Sequence, residues 1–352
     1  MRSVLQVLQK NPFDSIGGVE SVSLSFDKAF EALGIEPGYL FFGKGVSVPG
    51  RRVFTLRYMF SALSCDFGYC SPSALGRFVR SFDDVLVHHP SPFLLLMLAL
   101  TGVRFDVYYH SDIVRQRLTG ALIFPLIVAC LTRSRWIFVS SPNYAQGSLM
   151  LGLFRKKIRL LVPSADESLL AVTPDEEIVS RIPRPYFLFL GADRSYKSLD
   201  TIRCAAELAD EGDYMYVLAG PGTERYEGPN LLGLGQVGVE SKAALLRGCL
   251  GVVLASSSRA EALGICLIEG LMFGKPLITT NIDSGPSFIN IDGVTGHMVA
   301  SEDPEGLMAA SSFIQNDQIE LFRENCLYRY RVLFSFDSFV KKVDLVYGVR
   351  DE

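Results

Sequence analysis

Short apolar runs alternate with longer stretches of helical periodicity along almost the whole chain of 352 residues. This alternation is typical of parallel sheets with helices on both faces. The length is too great for one ordinary core and suits two domains. The sequence therefore predicts an α/β fold with two Rossmann-like domains, with strands at about 4–8, 84–88, 105–109 and 136–140 in the first and 186–190, 215–219, 251–255 and 276–280 in the second.

The composition of the sequence changes between about residues 164 and 184, where it becomes acidic, polar and rich in proline. Such composition is typical of an interdomain linker. The last segment has apolar residues at helical spacing and could pack back across the domain boundary. The predicted organisation is an N-terminal domain, a linker, a C-terminal domain and a final helix, at 1–165, 166–184, 185–335 and 336–352.

The overall composition limits which classes of partner the protein can bind and in which cellular compartment it is expected. A formal net charge of −4 gives no basic field for nucleic acid. The seven cysteines include no Cys-x-x-Cys, which favours free thiols in a reducing compartment and predicts a cytoplasmic protein. The mean hydropathy of +0.25 indicates heavily buried sheets or contact with a membrane surface. The apolar stretches 93–103 and 121–131 are too short to span a bilayer, so both are predicted to be buried helices.

The most informative segment runs from Glu261 to Pro276, where a helix is predicted to start near Ile265. Gly264 permits a tight turn before that helix, and the free amide groups of Leu263, Gly264 and Ile265 would form an anion site suited to a diphosphate. Glu269 lies about one turn into the helix and could accept hydrogen bonds from hydroxyl groups, as could Glu261. The alternative is an ordinary helix with acidic residues near its start, where the macrodipole of the helix favours negative charge.

A second cluster, Gly191-Ala-Asp-Arg-Ser-Tyr-Lys197, follows a predicted strand directly. Ligands of α/β proteins bind at the carboxyl ends of parallel strands. Arg194 and Lys197 are three residues apart and could both hold phosphate groups. The alternative is a solvated basic pair on a loop.

The first domain offers two further candidates. Gly17 and Gly18 stand at the first strand–helix junction and would let a ligand approach the backbone. His110 follows the predicted strand 105–109, and His88-His89 at the end of another strand is its rival. The first strand–helix junction has no Gly-x-Gly-x-x-Gly, which argues against a nicotinamide cofactor, and the chain has no Asp-x-Asp, which argues against a metal-bound sugar nucleotide.

Together these clusters resemble family 4 of the retaining glycosyltransferases, which have the GT-B fold of two Rossmann-like domains facing a central cleft. The pair Glu261-x7-Glu269 resembles that family's E-x7-E motif. Within the family, the segments that begin at His110, Ser141 and Asp283 are similar to bacterial O-antigen mannosyl- and rhamnosyltransferases. The resemblance covers about residues 1–310, but it does not extend to 44–80, which matches nothing in the family.

The resemblance implies a role for each candidate. Arg194 and Lys197 would neutralise the diphosphate. The amides of Leu263, Gly264 and Ile265 would bind oxygen atoms of the donor. Glu269 would hold the ribose, and Glu261 would contact the transferred sugar. Gly17 and Gly18 would approach the diphosphate, and His110 would touch the sugar near its reacting carbon. The expected catalytic residues are therefore Glu261, His110, Arg194 and Lys197, with no metal and no further cofactor.

The expected reaction is metal-independent transfer, with retention, of a hexose such as mannose from a GDP-sugar to a lipid-linked saccharide in O-antigen synthesis. Alternatives are a UDP- or dTDP-sugar donor, a sugar-nucleotide epimerase, a nicotinamide oxidoreductase and a silent binding subunit. The basic turn 155–157 beside Leu151, Leu153 and Phe154 allows peripheral contact with the inner face of the membrane, or is simply solvated.

Overall fold

The computed structural model of the protein describes residues 1–14, 17–43, 46–62, 65–112, 117–210, 212–315 and 319–348. The chain divides into two compact units: Met1–Pro163 together with the segment that begins at Phe339, and Ser164–Ser338. Each unit contains one largely parallel sheet with helices in its crossover connections, as the alternation of the sequence predicts.

The first unit follows the doubly wound plan. Its elements are β1 (Ser3–Val7), α1 (Gly18–Ala32), β2 (Glu36–Phe42), β3 (Arg52–Ala62), β4 (Cys65–Tyr69), α2 (Pro72–Val79), β5 (Asp84–His89), α3 (Pro92–Thr101), β6 (Asp106–Tyr109), α4 (Arg117–Arg133), β7 (Ile137–Val139), α5 (Pro142–Gly147), α6 (Leu149–Gly152) and β8 (Ile158–Leu160). The strands lie in the order β4-β3-β2-β1-β5-β6-β7-β8, and among the described strands of this unit only β3 and β4 pair antiparallel. The order reverses between β1 and β5, where such folds bind ligands.

The second unit repeats the plan. It comprises α7 (Ser168–Ala171), α8 (Glu176–Ser180), β9 (Tyr186–Leu190), α9 (Leu199–Leu208), β10 (Met215–Ala219), β11 (Glu227–Gly228), β12 (Leu231–Gly235), α10 (Val239–Gly248), β13 (Gly251–Leu254), α11 (Ile265–Met272), β14 (Leu277–Thr280), α12 (Gly285–Ile289), β15 (Gly296–Val299), α13 (Pro304–Gln315) and α14 (Ile319–Arg329). The strand order is β11-β12-β10-β9-β13-β14-β15, which reverses between β9 and β13.

The central strands form because they are apolar on both faces. Every residue of β9 and of β10 is buried. Parallel strands covered by helices on both sides bury both faces, so they appear in the sequence as continuous apolar runs. The predicted strands 186–190 and 215–219 therefore coincide with β9 and β10.

The final helix, α15 (Phe336–Tyr347), packs against the first unit from Phe339 onward. The Phe339 ring lies 5.0 Å from that of Phe26 on α1, and Phe30 lies 5.6 Å from Tyr347. The Tyr347 hydroxyl donates to Asp106 Oδ2 at 3.0 Å. The residues of α15 from Phe339 to Tyr347 are thus part of the first core.

The segment 166–184 differs from the expected linker, because it belongs to the second unit. Its helices α7 and α8 pack against α10. Arg247 donates to the carbonyls of Leu170 and Val172 at 2.8 and 3.0 Å, and Ser241 donates to Asp175 at 2.8 Å. The acidic, proline-containing composition therefore marks a surface segment held by α10.

The helix predicted at 121–131 is formed, but it is not buried on all sides. Phe124 and Leu126 of α4 are 38% and 37% exposed, whereas Leu131 is fully buried. By contrast, α3 buries Leu94, Leu95 and Leu98. Among the described residues, no helix has the length and apolar character needed to cross a membrane.

Within the region 44–80, which the sequence left unassigned, β3 and β4 form an edge hairpin of the first sheet, and α2 follows them. Strands β3 and β4 pair antiparallel beyond β2, and residues 44–45 and 63–64 lie outside the described residues. Tyr58, Met59 and Phe60 are each about half exposed or more, at 48%, 62% and 50%. The Phe60 ring stacks on Phe67 at 5.0 Å. The hairpin therefore presents an aromatic edge.

Candidate active site

The candidate site of the second unit lies where its strand order reverses. The loops that follow β9 and β13 leave the carboxyl ends of two neighbouring strands, so residues far apart in sequence meet there. The Ser257 amide donates to the Tyr196 carbonyl at 2.8 Å and ties the two loops together. The topology thus brings the Arg194–Lys197 loop to the residues that precede α11.

Lys197 and Glu261 form the centre of this site. Lys197 Nζ lies 3.5 Å from Glu261 Oε2, and the two side chains are only 13% and 11% exposed. Gly191 makes room for the cation, because a Cβ at this position would stand 2.6 Å from Lys197 Nζ. The sequence predicted both residues, and the sheet places them in contact.

The charge of Lys197 is retained in these surroundings. Burial acts to lower its pKa, but the carboxylate of Glu261, with Cys266 and Tyr196, outweighs burial and raises the pKa above its ordinary value. Glu261 Oε2 is buried and makes no hydrogen bond to any described group, despite the nearby cation. The pair therefore keeps a fixed positive charge and an unused acceptor for a ligand.

Arg194 has a different environment from Lys197. Its side chain is exposed, and its guanidinium makes no hydrogen bond or ion pair with a residue that the structure describes. The acidic neighbour Asp193 pairs instead with Arg225 at 2.5 Å. Arg194 is thus a cation with free donors on the same loop as Lys197.

The start of α11 has the geometry expected of an anion site. Gly264 caps the helix with φ +82°, a left-handed conformation that favours glycine, and a Cβ there would stand 2.9 Å from Leu254 Cδ2. The preceding loop is held in place because Ser284 Oγ donates to the Glu261 carbonyl at 2.7 Å. Gly285 permits close packing, since its Cβ would stand 2.3 Å from Leu263 Cα. Leu263, Gly264 and Ile265 are therefore fixed by packing around them.

Glu269 has a partner that the sequence did not indicate. Lys242 on α10 donates from Nζ to Glu269 Oε1 at 2.5 Å, and the Glu269 side chain is only 7% exposed. An ion pair this buried orients the carboxylate and leaves Oε2 available. Lys242 was missed because it lies in an ordinary helical pattern, 27 residues from Glu269.

Gly17 and Gly18 lie in the first unit, at the start of α1, and Ser15 and Ile16 before them lie outside the described residues. Gly17 is the N-cap with φ −164°, an extended conformation open to any residue. A Cβ on Gly18 would meet nothing within 4 Å. The fold of the described residues gives no steric reason for glycine at position 18.

We expect Gly18→Ala to leave the melting temperature unchanged within about a degree, because the added methyl group enters open space and alanine favours a helix. If a donor diphosphate approaches this backbone, the methyl group will weaken binding and raise KM for the donor. Gly102→Ala is a suitable control. Its added methyl group also has no atom within 4 Å, but Gly102 has φ +74°, so this variant should destabilise the fold without changing KM. An unchanged KM for Gly18→Ala would contradict the predicted role of this glycine.

His110 follows β6, and the loop after it is anchored by residues that the sequence did not single out. Tyr109 and Ser148 both donate to Asp112 Oδ1, at 2.9 and 2.7 Å. The Asp112 amide donates to the Tyr144 hydroxyl. The segments that begin at His110 and Ser141 therefore meet in space, although residues 113–116 of the first lie outside the described part of the chain.

His110 and its rival His88 form one cluster. His88 Nδ1 lies 3.0 Å from His110 Nε2, and His88 Nε2 lies 3.0 Å from Gln6 Oε1. Burial lowers the pKa of His88 to about 3 and that of His110 well below its ordinary value. Both rings are neutral at physiological pH, so His110 is suited to hydrogen bonding and unsuited to carrying a charge.

Within the described ranges, no three His, Cys, Asp or Glu side chains are grouped as a metal site would require. The expected independence from a metal stays a prediction. The groups that could neutralise the charge of a diphosphate at the candidate site of the second unit are Lys197, Arg194 and the amides at the start of α11.

Comparison with known proteins identifies the family. The profile of the family described as "Glycosyl transferases group 1" matches residues 175–329. The D-rhamnosyltransferase WbpZ of Pseudomonas aeruginosa is 32% identical over 343 residues, which cover 92% of this chain and 89% of that protein. The chain is a group 1 glycosyltransferase. The "O-antigen chain mannosyltransferase C" of Escherichia coli is 31% identical over 362 residues, covering 96% and 95% of the two chains.

Solved structures of other proteins share the fold of this chain. HepE of Anabaena, solved with UDP-glucose, matches this glycosyltransferase with a TM-score of 0.77 and 13% identity, covering 98% of this chain and 99% of that one. WaaG, "a glycosyltransferase involved in lipopolysaccharide biosynthesis", matches with a TM-score of 0.69 and 13% identity, covering 98% and 100%. The GT-B fold and the resemblance to O-antigen mannosyl- and rhamnosyltransferases are thereby confirmed.

Proposed function

We propose that this glycosyltransferase moves a hexose, mannose or a related sugar, from a GDP-sugar to a lipid-linked saccharide in O-antigen synthesis. The observation that carries the proposal is the buried Lys197–Glu261 pair beside the start of α11. A fixed cation suits a phosphate, and a carboxylate oxygen that accepts no hydrogen bond from the described residues suits a sugar hydroxyl, so the pair matches a sugar diphosphate. The names of the relatives WbpZ and mannosyltransferase C support a mannose-like sugar and an O-antigen acceptor.

In the proposed mechanism the bond between the sugar C1 and the diphosphate oxygen loosens first, which gives an oxocarbenium-like centre. The leaving diphosphate gains negative charge and is stabilised by Lys197, Arg194 and the amides at the start of α11. The acceptor hydroxyl forms the new C1–O bond on the face that the diphosphate leaves, and its proton passes to the departing phosphate oxygen. The anomeric configuration is thereby retained without a protein nucleophile.

Glu261 and Glu269 act on the two ends of the donor in this proposal. Glu261 Oε2, which has no hydrogen bond within the described structure, accepts from a hydroxyl of the transferred sugar. Glu269, oriented by Lys242, accepts from a ribose hydroxyl. His110 touches the sugar near the reacting carbon, and Gly17 and Gly18 allow the diphosphate to approach the backbone.

A thermal-shift panel of GDP-, UDP- and dTDP-sugars, without metal and with EDTA, tests the donor. A ligand at 100 times its Kd stabilises the folded state by about 2.7 kcal/mol, so the preferred donor raises the melting temperature by several degrees. GDP-mannose is expected to give the largest shift. A larger shift with UDP- or dTDP-sugars would overturn the proposed base, and a shift only with added metal would overturn metal independence.

The main alternative is an epimerase of the same fold, which would convert the sugar nucleotide without an acceptor. Incubation of the enzyme with GDP-mannose alone separates the two functions. Formation of an epimeric sugar nucleotide would favour the epimerase, whereas product that appears only with a lipid-linked saccharide favours the transferase.

Contact with the membrane surface is also proposed, through a smaller group of residues than the sequence indicated. Leu151 is fully buried, and Lys157 Nζ donates to the carbonyls of Thr132 and Ser134 at 2.6 and 2.7 Å, so neither is available. The exposed residues are Leu149, Leu153, Arg155 and Lys156, with Leu149 at 90% and Leu153 at 59%. Apolar and basic side chains together favour an anionic lipid surface.

We expect the double substitution Arg155→Gln, Lys156→Gln to weaken binding to anionic vesicles about tenfold or more, because each basic residue near such a surface contributes about 1 kcal/mol. Cosedimentation with phosphatidylglycerol vesicles measures this change. Lys157→Gln is the matched control: it should lower the melting temperature, because the carbonyls at the end of α4 lose their donor, with a smaller effect on vesicle binding. Equal binding by the double variant and the native protein would favour a solvated turn.

A further inference from the structure

A buried chain of polar side chains leads from His110 through the core of the first unit. His110 contacts His88, which contacts Gln6, and β1 and β5 are neighbouring parallel strands with Gln6 paired to Leu86. Gln6 is fully buried and His88 is 2% exposed. Polar groups buried this deeply on central strands are costly unless each of their hydrogen bonds is made, so their proton positions can be deduced.

The orientation of the Gln6 amide is the first step. Gln6 Nε2 lies 3.1 Å from the Ser23 carbonyl oxygen, which can only accept a hydrogen bond. Nε2 also lies 3.3 Å from the Tyr39 hydroxyl, whose own proton is donated to Asp27 Oδ1 at 2.6 Å. Exchanging the amide oxygen and nitrogen would place two acceptors against each other at Ser23, so the observed orientation is the one that the surroundings require.

The carboxylate of Asp27, at the end of this series of hydrogen bonds, forms an ion pair with Arg51. Arg51 donates from Nε to Asp27 Oδ1 at 3.1 Å and from its terminal nitrogen to Oδ2 at 2.9 Å. A bidentate guanidinium stabilises the carboxylate, which therefore has no proton to give to Tyr39. The tyrosine must donate to Asp27, and its oxygen remains free to accept from Gln6.

The proton positions on the two histidines follow from Gln6. Its Oε1 already accepts from Ser23 Oγ at 2.9 Å and has no proton, so His88 Nε2 must be the donor at 3.0 Å. A neutral imidazole has one proton, so His88 Nδ1 is bare and accepts from His110 Nε2 at 3.0 Å. His110 is then left with a bare Nδ1, to which no described group is bonded.

We infer that Gln6 and His88 are positioning residues that hold His110 as the tautomer with its proton on Nε2, so that Nδ1 offers a lone pair to the ligand. The role in transfer rests on the proposed function. A lone pair accepts from a sugar hydroxyl but repels the unprotonated oxygens of a diphosphate. His110 therefore selects for a hydroxyl on the sugar and takes no part in holding phosphate.

Nitrogen-15 NMR of the native enzyme, labelled in histidine, tests the inference directly. The protein has only four histidines. The variants His89→Leu and His297→Gln remove the signals of the two that do not belong to the hydrogen-bonded series of Gln6, His88 and His110. Protonated and bare ring nitrogens have well-separated shifts, so each tautomer is read without a substrate. We expect His88 and His110 both to carry the proton on Nε2 at pH 7.5. A proton on Nδ1 of His110, or on both of its nitrogens, would overturn the inference.

The variant Gln6→Leu tests the effect on the reaction. It removes the acceptor of His88, so both histidines are expected to exchange between tautomers and turnover to fall about tenfold, the equivalent of one misplaced hydrogen bond. Tyr108→Phe is the matched control: it deletes a buried hydroxyl bonded to the Leu161 carbonyl at 2.9 Å, and its ring stays 4.6 Å from that of His110. The control should keep both the native spectrum and native turnover.

Two results would contradict the positioning role: Gln6→Leu with the native tautomers and turnover, or Tyr108→Phe with an equal loss of turnover despite native tautomers. Failure of the proposed function gives a different result. An enzyme that transfers no sugar would still show the expected spectrum, because the tautomers are set by the resting protein.

Discussion

The variant Lys197→Met is expected to lower the turnover number about 10²–10³-fold, the usual loss when a donor that stabilises transition-state charge is removed. Methionine keeps much of the apolar stem and removes the ammonium group, whose nitrogen lies 5.6 Å from the centre of the Phe189 ring. Because the negative charge of the diphosphate grows as the C1–O bond breaks, the loss should appear in kcat more than in KM. Steady-state kinetics with GDP-mannose and acceptor measure both constants.

The control for this variant is Lys275→Met in the same unit. Lys275 Nζ donates to the carbonyls of Arg247 and Cys249, both at 2.7 Å, so its loss should reduce stability and leave turnover unchanged. Removing Lys197 also leaves Glu261 buried without its cation, and a lower melting temperature is therefore expected for both variants. A normal kcat for the Lys197 variant would show that this cation does not stabilise the leaving group.

Arg194→Ala should reduce turnover by a similar factor without reducing stability, because the exposed side chain makes no contact on which the described fold depends. Arg203→Ala, an exposed arginine of α9 that pairs with Glu207 at 2.5 Å, should have native kinetics. If the Lys197 and Arg194 variants both kept native turnover, the assignment of the diphosphate site to this loop would be wrong.

The second large effect is a loss of stability in mild acid. Burial lowers the pKa of His88 and His89 to about 3, and that of His110 also falls well below the ordinary value of about 6.5. Below pH 6.5 the unfolded chain binds protons that the folded protein excludes. The stability from this source is complete above pH 6.5 and declines as the pH falls towards 3, by about 1.4 kcal/mol per pH unit for each histidine.

Three such histidines should reduce the free energy of unfolding of the first unit by about 4 kcal/mol between pH 7.5 and 5.5. Urea unfolding, followed through the fluorescence of the single tryptophan, Trp136, reports on this unit specifically. The ring of His89 makes no hydrogen bond in the described structure, so His89→Leu should reduce the pH dependence by about a third. Equal pH dependence in the variant and the native protein would contradict the prediction.

The sequence alone determined the sheets and indicated which residues gather at the candidate site of the second unit. Buried parallel strands are continuous apolar runs whatever their neighbours, so β9, β10 and β13 could be located from local pattern. Gly264, Glu261 and Lys197 were predictable for the same reason, since a residue at the carboxyl end of such a strand has a defined position. The edge hairpin β3–β4 was not identified, because edge strands lack a run that is apolar on both faces.

Only the tertiary structure decided which polar groups are partners. Lys242 meets Glu269 across 27 positions, Gln6 meets His88 across 82, and Glu167 binds the Tyr330 hydroxyl across 163. Local pattern specifies which face of a strand or helix is apolar, whereas a hydrogen bond depends on the order in which distant strands pair. That order brings His110 to His88, which in turn contacts the buried Gln6, and it makes the expected linker a surface segment of the second unit. No property of the single residues encodes either result.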